Sequence, residues 1–523
     1  MRSTLRNLFR NTALGLSLLA ATATRANNVQ ITNASLTGNN GSAGYCAVQF
    51  DLSWQNSWRG GGVTNWDAAW VFIKYRTTSG EWRHGHLDNM GHIAPAGSQI
   101  DTGLLSPGVP FNATTNPVMG CFIRRSADGT GTFTAAGVLL RCLYGSAGLN
   151  FNNILEVRVF AIEMVYVPQG DFAAGDGGGG SGQFTLTTIS TATATAAPTG
   201  MGSLGGMSGG YPEGQTPPAS ASWPNGFGAF YCMKYEVTQQ GYVDLLNTLS
   251  IAQQVGRTPS SPYSAVGTGA MSSTNANRNG IDIQTPANLS GTPALYACNL
   301  NGNGAYGDAT DGKDIACNFM KWGDLTAYQC WSGLRPMTEL EFEKACRGAL
   351  SPVPEEHPYG TASYPYSPYA LSNGGAANEG IAGSYDALLG NTAWNGTVPG
   401  GGAVNGPLRV GIFSANASNS GRITAGASYY GIMELSGNVL ERAVSIVSGG
   451  TYSGSHGTGV LGETGDANVA TWPAAATGAG AGFRGGSWVD NRFSLQVSNR
   501  QYASTSSGSR ESNYGGRGVR SAP

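Results

Sequence analysis

The chain has 523 residues, with 29 basic and 31 acidic side chains and a net charge of −2. Charged residues are 11% of the total, against ~25% in an average soluble protein, and glycine fills 80 positions, about twice its usual share. Without a G-X-Y period this excludes collagen, 40% hydrophobic content excludes a disordered chain, and the lack of any basic run excludes a phosphate-backbone binder. A loop-rich, mostly β protein of two or three domains is expected.

At the start, Arg2, Arg6 and Arg10 precede the apolar stretch Ala13 to Ala21 and small-residue cleavage sites ending at Ala23 or Ala26. Residues 1–26 read as a secretory signal peptide, so the mature protein is expected to be secreted or on the cell surface. No apolar stretch reaches the ~18–20 residues that span a bilayer. Export places eight cysteines in an oxidising compartment, where disulfides form. Cys121 with Cys142, flanking an Asp128-Gly129 turn, and Cys298 with Cys317 are the pairings expected, though spacing alone leaves the connectivity open.

From 27 to 162 the pattern has period two: Val48, Phe50, Leu52 and Trp54 alternate with polar residues, as do Leu155, Val157, Val159 and Ala161. Alternation puts apolar side chains on one face of a strand, and the Gly, Asn and Pro clusters between runs have the spacing of an antiparallel sandwich. His84 and His86 are either a metal pair on one strand face or part of a sheet surface. A Gly-rich insertion is expected at about 175–225. Beyond it, Thr238 caps a helix with Tyr242, Leu245 and Leu246 on one face. Trp322, Leu325, Tyr328 and Cys330 mark a second helix, and Thr338 with Glu341 forms a capping box before Phe342, Ala345 and Cys346. Glu339 and Glu343, at i and i+4, read as a solvated face. Gly457, Gly459 and Gly462 spell a dinucleotide fingerprint without a βαβ context, and His456 beside Ser455 lacks a third triad partner.

Five motifs in order give the second half a family resemblance. They are Met164-Val-Tyr-Val-Pro-Gln-Gly, Lys234-Tyr-Glu-Val-Thr-Gln, Leu334-Arg-Pro-Met-Thr-Glu-Leu-Glu-Phe-Glu-Lys-Ala-Cys-Arg-Gly, Tyr430-Gly-Ile-Met-Glu-Leu-Ser-Gly-Asn-Val-Leu-Glu, and Arg484-Gly-Gly-Ser-Trp with Gly516-Arg-Gly-Val-Arg. The segment 163–523 resembles the formylglycine-generating, or sulfatase-modifying factor, family. The resemblance implies an α+β, C-type lectin-like, loop-rich domain behind the all-β sandwich of 27–162. Enzymes of that family oxidise a substrate cysteine with two active-site cysteines; aligned from Gly485-Gly486-Ser487, those positions hold Asp490 and Leu495. A carboxylate and an aliphatic group cannot supply paired thiolates to a soft metal.

The resemblance further implies a structural calcium at Glu434 and Glu441 through side chains and at Gly437 and Val439 through carbonyls, with Asn378 at a second position; hard oxygen donors suit this ion. Between Trp488 and Tyr514 lie Asp490, Asn491, Arg492, Phe493, Leu495, Gln496, Asn499, Gln501 and Tyr502, the mix of aromatic, amide and charged groups from which adaptable binding surfaces are made. This segment and the ending Gly515-Gly-Arg-Gly-Val-Arg520 resemble the variable region of proteins diversified by diversity-generating retroelements. The expected function is an exported, non-catalytic binder of a protein or glycan ligand, with self-assembly as one route to anchoring and no nucleic-acid partner. The alternative is a metal-dependent oxidase or oxygenase of the sulfatase-modifying factor family.

Overall fold

Ala68 to Ile73 is a run without a polar side chain. A strand with no alternation must bury both faces, and this one sits at the junction of two cores. The computed structural model describes residues 28–60, 64–178, 182–192, 220–273, 275–365, 369–382, 389–394, 404–415, 419, 421–446 and 450–523; the expected signal peptide, 1–26, and part of the Gly-rich insertion, 193–219, lie outside the described residues.

The first strands are β1 (Gln30–Asn40), β2 (Tyr45–Arg59), β3 (Asp67–Thr77), β4 (Trp82–Gly85), β5 (Ser98–Leu104), β6 (Val118–Arg125), β7 (Gly129–Leu143) and β8 (Ile154–Val167). The rest are short: β9 (Phe172–Ala174), β10 (Thr187–Ile189), β11 (Phe230–Met233), β12 (Ile281–Thr285), β13 (Leu295–Cys298), β14 (Met337–Thr338), β15 (Ala370–Ser372), β16 (Gly380–Ala382), β17 (Leu440–Val444), β18 (Ala481–Arg484), β19 (Tyr514–Gly515) and β20 (Val519–Ser521). Among the described residues the α-helices are α1 (Gln239–Leu246), α2 (Ile251–Arg257), α3 (Trp322–Ser332) and α4 (Glu339–Arg347). The expected helices coincide with α1, α3 and α4, and Thr238 and Thr338 cap α1 and α4 by accepting the N–H of Gly241 and of Glu341. The sequence reading missed α2, whose Ser250-x-x-Gln253 capping box was the available signal.

A three-stranded sheet, β1-β2-β7, faces a seven-stranded sheet ordered β20-β11-β8-β3-β6-β5 with β4 paired to β3. Between them Phe50, Leu52, Val138 and Leu140 meet Ala69, Val71 and Ile73 of β3. On the other face of β3, Ala68, Trp70 and Phe72 pack with Leu325, Tyr328 and Trp331 of α3. The sheet between the two cores is continuous: β8 pairs with β3 from Ile154 to Val165, then with β11 from Met164 to Val167, and β11 pairs with the C-terminal β20. The boundary expected at 162/163 therefore falls inside a strand, with no linker. Trp70 sews the layers together, its Nε1 donating to Ser332 O at 2.8 Å and its ring lying 4.3 Å from the Arg520 guanidinium.

Several expectations are corrected by packing. The Gly-rich insertion is partly anchored, because β10 pairs with β9 and Phe184, Ile189 and Trp223 are buried in one core cluster. All eight cysteines are free and buried, so neither expected disulfide is present. Cys142 faces Cys46 across β7 and β2, whereas Cys121 of β6 faces Val71 and Thr102. His84 is buried with Nε2 2.6 Å from Met119 O, both ring nitrogens of His92 are engaged, and among the described residues no three His, Cys, Asp or Glu side chains form a metal position. His456 is a structural link: its Nε2 accepts the Ser521 N–H at 3.1 Å, and its Nδ1 bonds Leu105 O. Gly459, in the fingerprint-like run that lacks a βαβ context, lies against His84, where a Cβ would fall 2.3 Å from the ring.

Because one sheet serves both cores, urea unfolding followed by tryptophan fluorescence and by far-UV circular dichroism should give one coincident transition; two separated steps would establish an independent sandwich. A second expectation concerns Lys74, whose Nζ is buried, donates to Gly459 O at 2.8 Å and lies 5.3 Å from the Trp331 ring. Burial pulls its pKa from 10.5 down to about 7. Between those values the unfolded chain binds more protons than the folded one, so this group makes stability rise with pH across that window. Lys74→Met should flatten the rise in urea midpoint between pH 7 and 9 relative to wild type; parallel profiles would mean that Lys74 stays charged.

Candidate functional site

The closing segment is held from below by charges. On α4, Glu339 accepts from Arg484 at 3.1 Å and from Arg500 at 2.7 Å, and Glu343 accepts from Arg484 at 2.7 Å and from Arg347 at 3.3 Å. Arg347 also pairs with Glu356 and donates to Ser498 Oγ, and Arg484 donates to Val497 O at 2.6 Å. Glu339 and Glu343 are 0% exposed, so the expected solvated face is instead a buried ionic lattice. Its hydrogen bonds immobilise residues 497–500, and the loop above them is set on a rigid base.

Of the expected binding residues, the structure brings some to the surface and buries others. Asn491, Arg492 and Phe493 are exposed, Phe493 by 48%. Asn491 Oδ1 accepts the N–H groups of Phe493 and Ser494 at 3.0 and 3.2 Å, which fixes the turn that presents them. The Arg492 guanidinium lies 4.7 Å from the Phe493 ring and 5.1 Å from the Tyr364 ring, and Tyr364 meets Trp394 edge-on at 5.9 Å. Asp490 is half-buried and engaged by Ser487 Oγ, Tyr502 OH and Asn513 Nδ2, while its carbonyl accepts from Trp394 Nε1. Tyr502 and Gln501 are half-buried, and Asn499 Oδ1 accepts the Gln501 N–H. Leu495, Gln496 and Asn499 are buried, Leu495 completely. These three face the interior because the segment re-enters the core once Asn491 has closed its turn. Tyr364 and Trp394 were missed by the sequence reading; they join the patch from segments over 90 residues earlier, and no local pattern marks them.

Beneath lies the loop Glu434 to Glu441. Glu434, Gly437 and Asn438 have φ of 48°, 81° and 59°, and a Cβ at Gly437 would lie 2.5 Å from Ala393 O, so glycine is required there. Glu434 and Glu441 are both buried, in the company of a third carboxylate, Glu236. Glu236 accepts from Asn438 Nδ2 and from the Val439 N–H, and Glu434 accepts from the Gly411 N–H. Burial raises all three pKa values, that of Glu434 to about 7. The counter-charge is Arg517, which pairs with Glu441 and donates to the carbonyls of Met233, Lys234 and Glu434. One oxygen of Glu434 and one of Glu441 have no hydrogen-bond partner. Glu236 went unassigned in sequence, although it sits inside the Lys234-Tyr-Glu-Val-Thr motif. Arg442 is buried between Phe483 and Tyr514, 4.3 and 5.0 Å from the ring centres. Asn378 is exposed; the neighbouring Glu379 is buried and spent on Arg278 and the N–H groups of Gly375 and Arg409.

Residues 156–522, more than two thirds of the chain, match the sulfatase-modifying factor enzyme 1-like domain, and the chain belongs to that family. No curated protein matches it at a significant level. The match begins within β8, the strand that both cores share. No helix among the described residues is long and apolar enough to cross a membrane.

Replacing one charge of the lattice tests its weight. Glu339→Gln leaves Arg484 and Arg500 undercompensated in the interior and should cost about 3–5 kcal/mol in urea unfolding, whereas Phe493→Ala on the surface should cost under ~1 kcal/mol.

Proposed function

We propose that the chain is an exported, non-catalytic ligand-binding protein that presents the Asn491–Phe493 turn, flanked by Tyr364 and Trp394, on a C-type lectin-like scaffold. The observation that carries the reading is the fate of the two positions where enzymes of the resembled family hold cysteines. Asp490 is spent on Ser487, Tyr502 and Asn513, and Leu495 is fully buried, so neither presents a thiolate, a base or an open ligand position. Beside them stands an exposed arginine between two aromatic rings, a kind of group enriched where binding energy concentrates. The ligand class is a protein or glycan. The retroelement-like ending, Gly515 to Arg520, supports the turn as the part of the scaffold open to diversification.

A calcium ion at Glu434 and Glu441 belongs to the same proposal. Arg517 offsets three buried carboxylates, with Arg409 also acting on Glu434, and one oxygen on each of Glu434 and Glu441 lacks a partner, which suits a hard cation. Bound there, calcium would neutralise the loop under the presented turn.

The test is binding of the full chain to an array of immobilised glycans and to a panel of purified cell-surface proteins. The double variant Arg492→Ala, Phe493→Ala should lose about tenfold or more of any affinity found, with Tm unchanged. Equal binding by the variant, or aldehyde formation on a cysteine-containing peptide in the presence of copper and oxygen, would replace this reading with the oxidase one.

A further inference from the structure

Between β13 and α3 the chain reads Asn299-Leu-Asn301-Gly-Asn303-Gly304, followed by Ala305-Tyr-Gly-Asp308-Ala-Thr-Asp311. Oxygen-bearing side chains at the first, third and fifth places with glycine at the sixth are the spacing by which a calcium loop turns sharply and aims successive donors at one centre. Asn299 Oδ1 accepts the Gly304 N–H at 3.2 Å, Asn301 Oδ1 that of Asn303 at 3.0 Å, and Asn303 Oδ1 that of Ala305 at 2.7 Å. Gly304, at φ 73°, makes the turn. The second arm folds back on the first: Leu300 N–H donates to Asp311 O at 3.2 Å, Asn301 Nδ2 to Thr310 Oγ1 at 2.9 Å, and Asn303 Nδ2 to Asp308 Oδ2 at 2.6 Å.

What points to a ligand is the Asp311 carboxylate. It is 0% exposed, its Oδ2 accepts the Gly307 N–H at 2.7 Å, and its Oδ1 has no partner. At the start of the loop Asp282, also 0% exposed, accepts from Asn299 Nδ2 at 2.9 Å and likewise leaves Oδ1 without a partner. A buried carboxylate oxygen left without a hydrogen bond is costly, and a cation removes the cost.

We propose that Asn299–Asp311 is a calcium-binding loop, with the amide oxygens of Asn299, Asn301 and Asn303 and the Asp311 carboxylate as ligands and Asp282 orienting Asn299. It shares no residue with the Glu434–Glu441 loop. A donor set with so few charges binds weakly, with a Kd of about 10⁻⁴–10⁻³ M, the range of extracellular calcium modules. Flexible amide donors also favour Ca²⁺ over the smaller Mg²⁺, which demands a near-ideal octahedron.

Terbium supplies the readout, because Tyr306 lies within the loop and its ring can sensitise a bound lanthanide. The full-length chain is titrated with Tb³⁺ and the luminescence displaced with Ca²⁺. Wild type should show displacement in the stated range, and Asp311→Asn should weaken it about tenfold or more. Asn303→Ala, at an exposed position, should weaken it comparably with an unchanged circular dichroism spectrum, and it decides the question where Asp311→Asn does not fold. Calcium lost by these variants and retained by Glu434→Gln belongs to this loop, so the two positions stand or fall separately. Wild-type displacement matched by both folded variants, by Asn303→Ala where Asp311→Asn does not fold, or no calcium binding by wild type at about 10 mM, overturns the proposal.

Discussion

The structure turns on the charged groups buried around α4. Glu339, Glu341, Glu343 and Arg347 would make an ordinary solvent-facing helix surface, yet Arg484, Arg500, Arg335 and Glu356 close over them. Each charge is paired and hydrogen-bonded, the condition under which ions are tolerated in an interior. In a chain with so few charged residues and so many loops, this lattice does what a longer run of helix or sheet does elsewhere. It ties β18, the 497–500 stretch and β9 to one helix, and the exposed turn at 491–493, closed by Asn491, sits next to that base.

The second constraint is the sheet that has no outside. β3 supplies side chains to both cores, and β8 leaves the sandwich and enters the family domain without a break. The C-terminal β20 completes the same sheet, and Arg520 reaches from it to Trp70 and Leu104 O. The sandwich thus shares one continuous sheet with the family domain.

Much of this was legible beforehand. Alternation marked β2 and β8, caps marked α1 and α4, and the five motifs identified the family, because each is a local pattern with a local physical cause. The Glu-x-x-x-Glu pair on α4 was legible as a helix face, but its solvation was misjudged, since two of its arginine partners, Arg484 and Arg500, come from more than a hundred residues away. The binding segment was read as one continuous surface; Asn491 splits it, turning Arg492 outward and sending Leu495, Gln496 and Asn499 into the core.

The sequence by itself determined that the chain is rich in glycine and loops and carries, in order, the motifs of the sulfatase-modifying factor family. These follow from composition and from residues close together along the chain. Only the tertiary structure decided that the glutamates are interior, that Tyr364 and Trp394 border the exposed turn, that Cys142 meets Cys46, and that Asp311 is buried with an oxygen unmatched. Burial and charge pairing are properties of three-dimensional neighbourhoods, and loops set by glycine conformations bring together neighbours that no periodicity encodes.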